Sequence, residues 1–269
     1  MHPGRAPYLF CCASSDRLPA KLEIEGLDDG TPLLQQRYRD LAAVMSEVSL
    51  DEFTGPEAQA RLSDLGWLAP RALRHEQIIE EIARHSPVFP ARFGTIFSSL
   101  DSLAALLARH HDTIRAFLDR TTNAEEWGVK GYLDRNQARE RLVEEELAGP
   151  AARLSSSPGT RFMQERKLRA QAEAKVGDWL RQTSARLKEE LAHRALDAVE
   201  RRLLAAGSTG TPGEMVLNWA FLVPKPEVEA FRSAGEQLGH ELSDRGLVFE
   251  IAGPFPPFSF TPGLDEKQA

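Results

Sequence analysis

Apolar positions along this chain change their period several times, and each change marks a predicted element. Tyr8-Leu9-Phe10-Cys11-Cys12 is a compact apolar run and predicts a strand. Lys21-Leu22-Glu23-Ile24-Glu25 alternates polar with apolar, the period of a half-buried strand, ahead of turn signals at Gly26 and Asp28-Asp29-Gly30. A third strand is expected within Arg37 to Ser49, although the alanines of Leu41-Ala42-Ala43-Val44-Met45 suit a helix equally well. Helical spacing then takes over. Pro56, following Thr54, suits a first helical turn, and Ala58 to Leu65 reads as a short helix ended near Gly66. Ala72, Leu73, His75, Ile78, Ile79 and Ile82 recur at helical spacing, so an amphipathic helix is predicted from about Ala69 to His85, stopped by Ser86-Pro87. Two shorter helices are expected near Leu100 to Arg109 and His111 to Arg120.

A polar Thr121-Thr122-Asn123 connection suggests a boundary, with one domain over residues 1–123 and a second over 124–269. The second opens with a strand, Glu125 to Leu133, whose Trp127, Val129 and Gly131 share one face and Glu126, Gly128 and Lys130 the other. Asn136 to Leu147 is helical, and Gly149-Pro150 with Ser155-Ser156-Ser157-Pro158-Gly159 marks a polar loop. Arg161 to Leu204 then reads as one long helical stretch, striped by Val176, Leu180, Thr183, Leu187, Leu191, Ala195, Ala198 and Leu203. An unbroken helix of that length spans about 65 Å, so either Gly177 bends it or it forms one arm of a helical hairpin. Strand (Met215 to Val223), helix (Pro226 to Leu242) and strand (Gly246 to Ala252) complete most of a ferredoxin-like plan. The fold class is therefore α+β, in two domains.

Composition narrows the function classes. The 269 residues are 42% hydrophobic, enough for substantial cores, and the expectation is a soluble globular protein. A formal charge of −7 argues against a polyphosphate partner, so no nucleic acid is expected. No run approaches the ~18 apolar residues of a bilayer helix, and the first residues lack the apolar core of a secretory signal. The expectation is a cytoplasmic protein with no membrane partner. Cys11 and Cys12 are neighbours on a predicted strand, where side chains diverge, and are expected as core residues rather than a disulfide or metal pair.

Catalytic patterns are missing. His75-Glu76 begins like a zinc-protease helix, but Ile79 stands where the second histidine belongs, and His110-His111-Asp112 diverge on a helix; both sites read as surface or capping histidines. There is no nucleophile elbow, phosphate loop or dinucleotide fingerprint, so no catalytic residue, cofactor or metal is expected. Arg92 is set in the otherwise apolar Pro90-Ala91-Arg92-Phe93-Gly94, where its guanidinium is expected to tie down the turn; the alternative is a partner contact through Arg92 and Phe93. Arg181 and Lys188 belong to the basic face of the long helix, read as a solvated face or as a partner surface. Trp127 is expected in the core. In the closing Gly253-Pro254-Phe255-Pro256-Pro257-Phe258-Ser259-Phe260, the prolines stiffen an extended tail, and Phe255, Phe258 and Phe260 are expected to lock it onto the fold or else to meet a partner.

Four phrases occur in a telling order: Pro90-Ala91-Arg92-Phe93-Gly94-Thr95-Ile96-Phe97, Glu125-Glu126-Trp127-Gly128-Val129-Lys130, Ala220-Phe221-Leu222-Val223-Pro224 followed by Phe231, and the closing aromatic-proline run. With His75-Glu76 ahead and Ser157-Pro158-Gly159 between, the chain resembles the GvpF/GvpL family of gas vesicle proteins. Family members commonly carry Trp and Tyr where this chain has Phe255 and Phe258, which keeps the bulk and removes two hydrogen-bonding tips. The resemblance favours a strand within Arg37 to Ser49 and a ferredoxin-like second half. It implies an accessory or minor structural role at the gas vesicle, with the small hydrophobic shell protein and other vesicle accessory proteins as partners, and no catalytic residues. The residues alone leave two rivals open: a general interaction adaptor unrelated to vesicles, and an enzyme whose pocket gathers Arg92, His75 and Glu76.

Overall fold

The structure is a computed structural model that describes residues 4–148, 157–204 and 213–264. The residues group into two compact units, Met1–Glu125 with Phe255–Ala269, and Glu126–Pro254. Each has its own four-stranded sheet. The tail from Phe255 groups with the first unit.

The first unit contains β1 (Arg5–Ser14), β2 (Leu34–Tyr38), β3 (Leu41–Ser49), α1 (Leu50–Phe53), α2 (Pro56–Ser63), α3 (Leu65–Ala83), β4 (Val88–Pro90) and α4 (Leu100–Thr121). Its sheet runs β2-β3-β1-β4 with antiparallel neighbours. A bulge at Phe10 shifts the register between Leu9 and Cys11 opposite Met45 and Val44. The extra residue turns Phe10 and Cys11 toward one core, so Tyr8, Phe10, Cys11 and Ala13 all join Ala42, Val44 and Val48 against Ile78, Ile79 and Ile82 of α3. On the opposite face Phe89 meets Phe117 of α4, with ring centroids 5.1 Å apart. Helices cover both faces, which is why β1 and β3 bury nearly every residue instead of alternating.

Three expectations change here. Lys21 to Glu25 is not a strand, because β2 holds the sheet edge; only Glu25 bridges Pro32, while Leu22 and Leu27 tuck into the core. The two short helices over 100–120 are one: a reciprocal Ser99–Ser102 capping box starts α4, and Leu103, Leu107, Ile114 and Leu118 keep one buried stripe past His110-His111. Leu73, counted on the buried face of α3, is 56% exposed, whereas His75 is buried.

The second unit contains β5 (Ala124–Leu133), α5 (Arg135–Ala148), α6 (Pro158–Ala192), β6 (Asp197–Glu200), β7 (Glu214–Pro224), α7 (Val228–Ser243) and β8 (Leu247–Phe255), with strands ordered β6-β7-β5-β8. Strand, helices, strand, strand, helix and strand in this arrangement form a ferredoxin-like fold in which the α5–α6 pair replaces one crossover helix. Trp127, Val129, Leu217, Trp219, Phe221 and Val223 of the sheet meet Val176, Leu187 and Leu191 of α6 and Phe231 and Leu238 of α7. Gly131 is required by this packing, since a Cβ there would lie 2.8 Å from Leu217 Cδ1.

The long helical reading to Leu204 fails at its end. α6 is continuous through Gly177 but stops at Ala192, and Asp197–Glu200 pairs antiparallel with β7, from Asp197 opposite Leu222 to Glu200 opposite Trp219. Sheet pairing outweighs a helical spacing that Ala195, Ala198 and Leu203 met by coincidence. Lys175 of α6 is ion-paired with Glu146 of α5. The expected polar loop lies, up to Ser156, outside the described residues.

Candidate functional site

Residues 91–97 run beside β1 and are held there by backbone bonds from Ala91 N to Phe10 O, Leu9 N to Thr95 O and Phe97 N to Pro7 O, all 2.8–2.9 Å. A buried side-chain relay fixes the turn. His75 Nε2 is 3.1 Å from Ala91 O, a carbonyl that only accepts, so Nε2 carries the proton. Nδ1 therefore accepts from the Tyr8 hydroxyl at 3.0 Å, and that same oxygen accepts the Gly94 N–H at 3.1 Å. Gly94 has φ 84°, a conformation that favours glycine, and this brings its amide round to Tyr8. Burial lowers the His75 pKa to about 4, so the ring is neutral, and burial pushes the Tyr8 hydroxyl up.

This relay replaces the expected role of Arg92. The Arg92 side chain is exposed, and among the described residues its guanidinium has no hydrogen-bond or ion-pair partner. Phe93 turns inward, with ring centroids 5.7 Å from His75, 6.1 Å from Tyr8 and 6.4 Å from Phe53. The two candidate contact residues thus separate into one buttress and one free cation. His75 is a core histidine, not a surface or capping one. The sequence signal was present: His75 sits in register with Ile78, Ile79 and Ile82, and a polar residue on a buried face needs a partner. His75 is enclosed while Glu76 and Arg92 are exposed, so these three groups line no common pocket.

In the closing tail, Phe258 N donates to Pro256 O, and Phe260 N and Thr261 Oγ1 donate to Pro257 O, winding a short 3-10 turn. Pro256, Pro257 and Phe260 are buried. Phe255 and Phe258 are 36% and 37% exposed, so the expectation that all three rings lock the tail is corrected: one ring anchors it and two face outward.

On α6, the Arg181 and Lys188 heads are engaged, Arg181 with Asp178 and Lys188 with Glu200 at 2.7 Å. Between α6 and α7, Trp179, Thr183, Arg186, Glu241 and Arg245 line an open groove. Its arginines are neutralised, Arg186 by Glu241 at 3.0 Å and Arg245 by Glu145 at 2.9 Å. Trp127 is in the core as expected, and among the described residues its buried indole N–H has no hydrogen-bond partner. Cys11 and Cys12 are free and buried; burial drives the Cys11 pKa well up and pushes Cys12 up to about 12. Among the described residues no group of three or more His, Cys, Asp or Glu is placed to hold a metal, and no helix is long and apolar enough to cross a membrane.

Comparison with known proteins agrees with the phrases noted above. A sequence model of the family described as gas vesicle synthesis protein GvpL/GvpF matches residues 6–262. Gas vesicle protein L of Streptomyces sp. (strain CB03234) is 33% identical over 240 residues, 88% of this chain and 86% of that protein. Crystal structures of the gas vesicle protein GvpF share the fold: that from Microcystis aeruginosa with a TM-score of 0.65 and 16% identity, and that from Anabaena sp. PCC7120 with 0.68 and 17%. Each alignment covers 96% of this chain and 99% of the other.

Proposed function

Because this chain belongs to the GvpL/GvpF family of gas vesicle synthesis proteins, we propose that it is a non-enzymatic assembly factor that binds the hydrophobic shell protein from the cytoplasmic side and works alongside other vesicle accessory proteins. The observation that carries this reading is the tail, where Phe255 and Phe258 are held outward by the buried Pro256, Pro257 and Phe260. Exposed aromatic rings on a stiff, anchored backbone cost little entropy to order on binding. They suit the apolar surface that shell subunits expose before assembly, which aggregates unless covered. The exposed Arg92 is the second contact residue in this proposal. Arg181 and Lys188, already ion-paired, take a smaller part.

Family membership favours this reading over a vesicle-independent adaptor, and the dispersal of His75, Glu76 and Arg92 weighs against an enzyme. The test is co-production with shell protein. The wild-type chain is expected to keep shell protein in the soluble fraction, with only modest weakening by salt because the contact is apolar. The Phe255→Ser/Phe258→Ser double variant is expected to lose that effect while still unfolding cooperatively, with its melting temperature lowered by no more than a few degrees. Equal precipitation of shell protein with and without the wild-type chain would refute the proposal.

A further inference from the structure

The β2–β3 hairpin closes through Arg39 and Asp40, and Arg39 is the only non-glycine residue with positive φ, 52°, among the described residues. A side chain in this conformation is disfavoured, so the tip needs support from outside the hairpin. Part of that support is backbone: Asp40 O accepts the Ser15 N–H at 2.9 Å. The rest comes from α4, where His111 Nε2 lies 2.7 Å from Asp40 Oδ1 and Arg115 Nη1 lies 3.4 Å from Asp40 Oδ2. The second nitrogen of His111, Nδ1, lies 2.9 Å from Asp112 Oδ1.

Both ring nitrogens of His111 thus face carboxylate oxygens. A neutral imidazole has one N–H and one lone pair, so only the doubly protonated ring satisfies both contacts. We propose that His111 is a proton-gated latch that pins the tip of the edge hairpin onto α4 when both ring nitrogens are protonated and loosens it when one proton is lost. The surroundings favour the charged form. Tyr38 of β2 presents its ring at 6.1 Å, T-shaped, and Arg39 at the tip is the opposing charge, its guanidinium drawn 5.3 Å over the Tyr38 ring. On α4, Asp112 binds the ring directly, and Arg115 is balanced by Asp119 and, from the segment after β1, by Asp16. Hydrogen bonds to Asp112 and Asp40 raise the His111 pKa, while His111 lowers that of Asp40.

The sign follows from linkage. A folded-state pKa above the unfolded one means that the latch is fully closed below the ordinary imidazole value of about 6.5 and opens as pH rises through the folded value. Because β2 is an edge strand, with β3 as its neighbour, loosening the tip loosens one edge of the first sheet. The test is a pH titration of the full chain by NMR, following the His111 ring and the Ser15 and Asp40 amides. The expected result is a His111 midpoint above the ordinary imidazole range, with both amides moving at the same midpoint. His111→Gln should abolish that common transition, and His111→Arg should hold the closed amide positions to higher pH. A His111 midpoint at or below about 6.5, or an unchanged amide transition in His111→Gln, would overturn the proposal.

Discussion

At the scale of single residues, the decisive group is His75. Its role follows from two acceptor facts: a carbonyl cannot donate, and a neutral imidazole has one proton. The arrangement carries a pH signature. The unfolded chain binds a proton at an imidazole near pH 6.5, whereas the folded ring resists it down to about 4. Between those values the unfolded state holds more protons, so stability is present in full above 6.5 and falls as pH drops, by about 3 kcal/mol across the window. Urea unfolding of the wild type and His75→Gln at pH 7 and pH 4.5 checks this. The difference in stability between the two should shrink at the lower pH, and a gap independent of pH would contradict the buried neutral ring.

At the scale of elements, the tail shows how one short segment combines anchor and contact. Phe260 is 8% exposed, and truncating a buried phenylalanine to alanine typically costs about 3–5 kcal/mol. Phe258, 37% exposed, is expected to cost well under that, about 1 kcal/mol or less. Denaturant midpoints for Phe260→Ala and Phe258→Ala should therefore separate clearly, with Phe260→Ala the less stable; the reverse order would place the wrong ring inside. The same segment shows what sequence reading can reach. Three phenylalanines among prolines announce a stiff aromatic tail, but which ring turns inward depends on the surface to which the tail docks.

At the scale of the whole molecule, the chain is acidic and carries 27% charged residues, and among the described residues its ion pairs are spread widely, those of the α6–α7 groove included. Surface pairs of this kind contribute little individually, so the cores of the two sheets dominate stability. A ligand that prefers the native state raises the melting temperature by mass action. Zinc or ATP at micromolar concentration is accordingly expected to leave the melting curve unchanged, measured by scanning calorimetry. A clear upward shift with either would reveal a site that these residues do not explain.

The sequence by itself determined most elements of both units and the ferredoxin-like succession of the second except for β6, because buried stripes, caps and turn residues act locally. It also carried the family resemblance, since ordered phrases such as Pro90 to Phe97 are legible in linear text. Tertiary structure decided the rest. Residues 197–200 became a strand because β7 offered a pairing edge, although their spacing matched the helix before them. Lys21 to Glu25 lost its strand to β2 through competition for the edge of β3. His75 turned from a surface candidate into the centre of a relay because Tyr8, 67 positions away, supplied a hydroxyl to its ring. Periodicity reports which face is buried; the identity of the group waiting there is a property of long-range packing.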